Sequence, residues 1–159
     1  MLVIGKGLGG GVFPMAALIT NENLDIVEDK ALGHYTHEKS SVGCAAALAT
    51  IDCLIEDGLL NNAVTLGKSG LEQLEALKLK HPIIHEVRGL GLFYGIDLKL
   101  NNQPASDQAD AILYHSLSNG LSYKVGGGSI LTLCPPLTIN NEELTQAFSI
   151  IENGINSLD

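Results

Sequence analysis

The chain has 159 residues, enough for one well-buried domain or for a small domain with part of another. Hydrophobic residues make up 45% and charged residues 17%, a balance that offsets chain entropy by burial and argues against disorder. The 9 basic residues are scattered among 18 acidic ones, for a formal charge of -9, which argues against nucleic-acid or anionic-membrane partners.

No run approaches the ~20 apolar residues of a membrane span, and no basic, apolar and cleavable segment opens the chain. Cys44, Cys53 and Cys134 are odd in number. The first two lie on one expected helix, separated by roughly 13 Å of rise, too far to bridge. Reduced thiols and a cytoplasmic setting are expected.

Taken in chain order, Met1 to Ile4 is an apolar run that stops at Gly5, as a buried strand does. A domain seldom opens inside a core strand, so further sequence upstream is expected. Gly5 to Gly11 reads as a glycine-rich loop, and Val12 to Thr20 as an apolar stretch whose Pro14 suits a strand edge or turn. A short helix is predicted over 23–32 and a polar loop over 33–41. Val42 to Asp57 is the clearest helix, capped by Ser40 or Ser41 and ended by Gly58, with small alanines for packing against a sheet.

Leu66, Leu71, Leu74 and Leu77 recur at amphipathic helical spacing within 60–79. Strands are predicted over 83–87 and 92–98 around a turn at Arg88 to Gly91, then a turn over 101–104. A helix over 106–119 should end at Gly120, with short strands over 121–124 and 130–133 around Gly126 to Gly128. Asn140 with Glu143 forms a capping-box pattern for a last helix to about Leu158. The second half has the pattern of a small α+β or α/β layer domain, and the first sixty residues read as the remainder of a different α/β domain. The expected boundary separates 1–60 from 61–159.

Gly5-Lys6-Gly7-Leu8-Gly9-Gly10 satisfies the dinucleotide pattern G-x-G-x-x-G after a strand. That fingerprint also needs a helix opening at the last glycines, and Gly11-Val12-Phe13-Pro14 starts one poorly. The lysine itself is the better candidate for chemistry. A lysine amine is a nucleophile only when deprotonated, a state favoured by desolvation at the end of a buried strand, and flanking glycines let a planar ligand approach the backbone.

The segment Val3 to Ala17, with Lys6 in its glycine run, resembles the cofactor-lysine segment of class III aminotransferases, the group containing 4-aminobutyrate and ornithine aminotransferases. Tyr35-Thr36 and the Ala-rich run Gly43 to Ala49 resemble that family's phosphate-contacting threonine and the helix behind it. Val87-Arg88-Gly89-Leu90-Gly91-Leu92 resembles the turn opening its small domain. Leu131 to Ile139, with Pro135-Pro136-Leu137-Thr138-Ile139, resembles its last strand before the final helix.

The resemblance implies a fold-type-I pyridoxal-phosphate-dependent transferase of α/β class, here the carboxy-terminal part: a partial large domain followed by a small C-terminal domain. It implies pyridoxal 5'-phosphate on Lys6 as a Schiff base, Thr36 donating to the cofactor phosphate of a neighbouring subunit, and hence a homodimer. The substrates implied are a small amine and a keto or aldehyde acceptor. After Thr36 this chain has His37-Glu38-Lys39-Ser40-Ser41 where the family often has Phe-Gly-Gly-Asn-Pro.

Thr132 stands where several amino-acid-specific relatives have an arginine that grips a substrate carboxylate. A threonine does not supply that charge. Residues 31–39 also resemble a branch that eliminates ammonia from a hydroxylated aminophosphonate. Transamination, ammonia elimination and a truncated, non-catalytic chain therefore remain as alternatives, in that order, because the family's pyridine-nitrogen aspartate, stacking aromatic and phosphate turn all precede the cofactor lysine. Arg88 beside two glycines reads as a structural ion pair or a carbonyl donor before a carboxylate ligand. His34, His37 and Glu38 lack the helical H-E-x-x-H spacing, so no metal is expected.

Overall fold

The computed structural model describes residues 1–24, 26, 27, 30, 36 and 39–158. The chain forms two compact units, Met1–Gly58 and Leu59–Asp159.

In the first unit, β1 (Leu2–Ile4) and β2 (Ala17–Ile19) pair antiparallel, with Val3 opposite Leu18. Between them Lys6–Gly9 winds into a 3₁₀ turn, and the chain reverses through Gly10 and Gly11. This returning loop packs on α1 (Ser41–Glu56): a Cβ added at Gly43 would sit 3.0 Å from the Phe13 ring and 3.1 Å from the Met15 sulfur. The Ser40 hydroxyl caps α1 by accepting from the Gly43 amide at 3.3 Å. Asp57 closes the helix, and Gly58 adopts the left-handed φ of 66° that follows a helix end.

The helix predicted over 23–32 is not present in the described part. Glu22–Leu24 is a single 3₁₀ turn, and Ile26 and Val27 are irregular. The Asn21 side chain accepts from the Asn23 amide at 2.9 Å, a local bond that competes with helix propagation. The other positions of that stretch, and most of the polar loop predicted after it, lie outside the described residues, Lys30 excepted.

The second unit has two layers. Its helices are α2 (Leu59–Lys80), α3 (Ser106–Ser118) and α4 (Asn141–Asn156). Its strands are β3 (Ile84–Leu90), β4 (Phe93–Leu100), β5 (Gln103–Pro104), β6 (Lys124–Gly126) and β7 (Ile130–Leu133), ordered β3-β4-β7-β6 with β5 on the end of β4. Every pairing is antiparallel. Val87, Ile96, Leu131 and Val125 stand opposite one another across the sheet and face the helices, where they meet Leu74, Ile112, Leu144 and Phe148. The expected capping box is present: Asn140 accepts from the Glu143 amide at 2.9 Å and Glu143 accepts from the Asn140 amide at 3.0 Å.

Several boundaries move. Arg88 to Leu90, expected as a turn, continue β3, and the reversal is only Gly91-Leu92, because Gly91 supplies the positive φ, 55°, that a tight hairpin needs at its first central position. Leu121 to Tyr123, expected as strand, precede β6, which starts at Lys124. There the chain leaves α3 with the Leu121 amide donating to the Ser116 carbonyl and the Tyr123 hydroxyl bonded to Ser116 Oγ, so these groups are satisfied without a ladder. Asn101 and Asn102, at φ 51° and 62°, form the two-residue turn that returns the chain as β5.

Candidate functional site

Lys6 follows directly on β1 and Gly5. Its backbone has φ 53°, in the left-handed region, where a residue with a Cβ is disfavoured by roughly 1–2 kcal/mol. Such a conformation persists where its surroundings impose it, and non-glycine examples cluster at functional sites. Here the surroundings are the paired β1 and β2 on one side and buried Gly9, seated on Met15 and Phe13, on the other. The Lys6 side chain is exposed, and a Cβ added at Gly7 would meet nothing within 4 Å. Lys6 therefore stands exposed beside an open glycine face.

The burial expected to activate that amine is not supplied by these residues. Leu2 and Val3 of β1 are 56% and 77% exposed, and among the described residues the only strand that β1 pairs with is β2. Thr36 lies in a turn and is exposed, and its neighbours Tyr35 and His37 are outside the described residues. So are His34 and Glu38, the other members of the cluster considered for a metal.

Thr132 sits in the second unit, half-buried on β7, its Oγ1 donating to the Ile130 carbonyl at a long 3.5 Å. It lines a cleft of about 410 Å³ together with Arg88, Gly95, Gly126, Leu90 and Phe93. Arg88 Nη1 donates to Glu86 Oε2 at 3.2 Å, the ion pair expected from its surroundings. Beneath the cleft Tyr94 is almost fully buried. Burial raises its phenol above the usual 10.0, so it stays protonated and donates to the Leu66 carbonyl at 3.1 Å. The three cysteines are exposed and unbridged. The cleft escaped the sequence reading because strand register alone brings Arg88, Gly95 and Thr132 side by side.

The first unit thus sets Lys6 in a glycine-rich 3₁₀ turn between two paired strands, and the second is an antiparallel sheet layered with helices, an α/β arrangement. Comparison with known proteins gives the family. The Aminotransferase class-III model matches residues 1–155, and the chain belongs to that family of pyridoxal-phosphate-dependent enzymes of fold type I. It is 43% identical over 158 residues to an (R)-1-hydroxy-2-aminoethylphosphonate ammonia-lyase of Vibrio splendidus, a match covering 98% of this chain and 33% of that protein. It is 32% identical over 149 residues to ornithine aminotransferase 1 of Staphylococcus saprophyticus, covering 94% of this chain and 36% of the relative. The crystal structure of acetylornithine aminotransferase from Elizabethkingia anophelis superposes with a TM-score of 0.89 at 33% identity, over 98% of this chain and 40% of that one. The chain thus spans about a third of the length of the curated relatives it matches.

Proposed function

We propose that these residues serve as the lysine-bearing and carboxy-terminal part of a pyridoxal-phosphate-dependent aminotransferase, moving an amino group from a small amine to a keto or aldehyde acceptor. The observation that carries the proposal is Lys6, held at φ 53° on an open glycine face within a chain that matches the class III family. Residues 1–60 belong in this reading to the cofactor-binding domain and 61–159 to the small domain. The enzyme works in the cytoplasm as a homodimer, with Thr36 donating its hydroxyl to the cofactor phosphate across the subunit boundary.

Lys6 and Thr36 are the residues that would hold pyridoxal phosphate. When bound, the cofactor supplies an electron sink for the substrate carbon. Lys6 Nζ would hold the cofactor covalently and, when free, would hold or move a proton at the substrate carbon. Thr36 orients the cofactor through its phosphate. Leu2, Val3, Leu18 and Ile19 of β1 and β2 are exposed, so the enclosure of Lys6 has to come from other residues.

A second reading, elimination of ammonia from an aminophosphonate, is favoured by the 43% identity to the Vibrio splendidus ammonia-lyase. One set of measurements tests both. Borohydride treatment of the holoenzyme containing this sequence, followed by peptide mapping, should fix the cofactor on Lys6, and label on Lys39 or Lys68 instead overturns the assignment. Substrate turnover then separates the chemistries. Transamination consumes one keto acceptor per amine, whereas elimination releases free ammonia with no acceptor present.

A further inference from the structure

We propose that the outer face of α2 pairs with the same face of a second copy of this chain, antiparallel about a two-fold axis that passes between Leu71 and Glu72. Val64, Lys68, Leu71, Glu75 and Leu79 recur every three or four residues, so they share one side of the helix. The adjoining side, with Gly67, Gly70, Leu74 and Leu77, is buried. The outer row is not. Val64 and Leu79 are 71% and 89% exposed, Lys68 and Glu75 are exposed, and Leu71 is half-buried. Apolar residues lined up on one exposed helix face, unlike single scattered ones, mark an interaction surface.

The shape of this face suits a second helix. Lys68, Leu71, Glu72, Glu75, Ala76 and Leu79 line a groove of about 520 Å³. A side chain from a facing helix seats in a hole made by four residues, and Lys68, Leu71, Glu72 and Glu75 form such a hole. With the axis between Leu71 and Glu72, Leu71 of each copy enters that hole in the other.

The charges select the arrangement. About this axis Lys68 of each copy faces Glu75 of the other, and Val64 faces Leu79. Sliding the antiparallel pair by one heptad in either direction sets Glu75 against Glu75 or Lys68 against Lys68. A parallel pair in register sets both like charges together. Of these arrangements only the first pairs every charge with its opposite. Glu75 also lies 3.9 Å from Lys78 of its own helix, a pair exposed enough to be weak and to leave Glu75 open to a second cation.

The two copies overlap from Val64 to Leu79, about 24 Å of helix. Contact along one helix face is at the small end of specific interfaces, so a dissociation constant in the micromolar range is expected. The contact lies wholly within the second unit. It does not rest on the enzyme reading above, whose dimer is placed around Thr36.

The test uses the 159-residue chain as an equal mixture of isotopically light and heavy copies. Carbodiimide joins an amine to a carboxylate without a spacer and should link Lys68 of one copy to Glu75 of the other. Within one helix these two are separated by roughly 10 Å of rise, too far for that link. In sedimentation equilibrium, Lys68→Glu and Glu75→Lys should each weaken association about tenfold, because each turns both attractive pairs into repulsions. Mixed with each other, the two variants should associate as tightly as wild type, since every charge then meets its opposite. Association through the exposed strands of the first unit would be blind to all of these changes. Absence of the light-to-heavy link, association that neither variant weakens at unaltered far-UV circular dichroism, or a mixture no tighter than the separate variants would each overturn the proposal.

Discussion

Glu152 shows how single side chains on the second unit's surface set its response to acid. Its Oε1 accepts from Lys80 Nζ at 3.1 Å and faces His81 Nε2 at 3.3 Å. These two hydrogen bonds, Lys80 first, hold the carboxyl below its ordinary 4.5. A carboxyl whose folded value is lowered contributes stability above its unfolded value and loses it as pH falls through the folded one. Glu152→Gln should therefore lower the melting temperature at neutral pH, by a small amount because Lys80 is largely exposed. The gap between variant and wild type should close as pH falls below the ordinary 4.5 and through the lowered folded value. A gap of constant size from neutral pH to pH ~3 would show that the loss is one of packing rather than charge.

At the scale of elements, the contact between α2 and the β3–β4 hairpin is the most demanding in the second unit. A Cβ at Gly67 would come within 2.6 Å of the Gly91 carbonyl carbon and oxygen, and one at Gly70 would overlap the Tyr94 hydroxyl. Gly91 is backbone and does not swing away, so Gly67→Ala must push the helix off the hairpin. The ~1 kcal/mol gained in helix propensity is then outweighed by overpacking, typically ~1–3 kcal/mol and more where backbone meets backbone. The expected result is a lower melting temperature for Gly67→Ala, with Asn61→Ala, exposed on the same helix, no less stable than wild type. A stabilised Gly67→Ala would mean that the helix and hairpin are not in this contact in solution.

On the scale of the whole molecule the two units differ in how much they bury. The second has a core running through Leu74, Ile96, Ile112, Leu131, Leu144 and Ile151, each at most 1% exposed. In the first, Leu18, Val42, Leu48 and Ile55 are 58%, 63%, 62% and 68% exposed, and only Gly9, Gly43 and Ala47 are buried among its described residues. Burial at about 25 cal/mol per Å² is what offsets chain entropy, so the first unit has little to hold it by itself. Hydrogen exchange on the 159-residue chain should find amides of β4 and α4 protected and those of β1, β2 and α1 exchanging rapidly. The exposed apolar surface should also drive concentration-dependent association. Equal protection across both units in a monodisperse sample would contradict this.

Much of this was legible in the residues themselves because it depends on neighbours in sequence. The apolar run ending at Gly5, the Ser40 cap, the leucine spacing of α2 and the Asn140–Glu143 box each form within a few residues, and each is present. The glycine-flanked Lys6 and its family resemblance were readable for the same reason. Tertiary structure decided what local chemistry leaves open. Whether β1 is buried depends on layers its own residues do not encode, and they leave it exposed. The hairpin turn contracted to Gly91-Leu92 because Arg88 to Leu90 find ladder partners in β4. Register, which is set by how four strands pair and not by any one of them, laid Arg88, Gly95, Thr132 and Lys124 in a single row, and no spacing along the chain could have shown it.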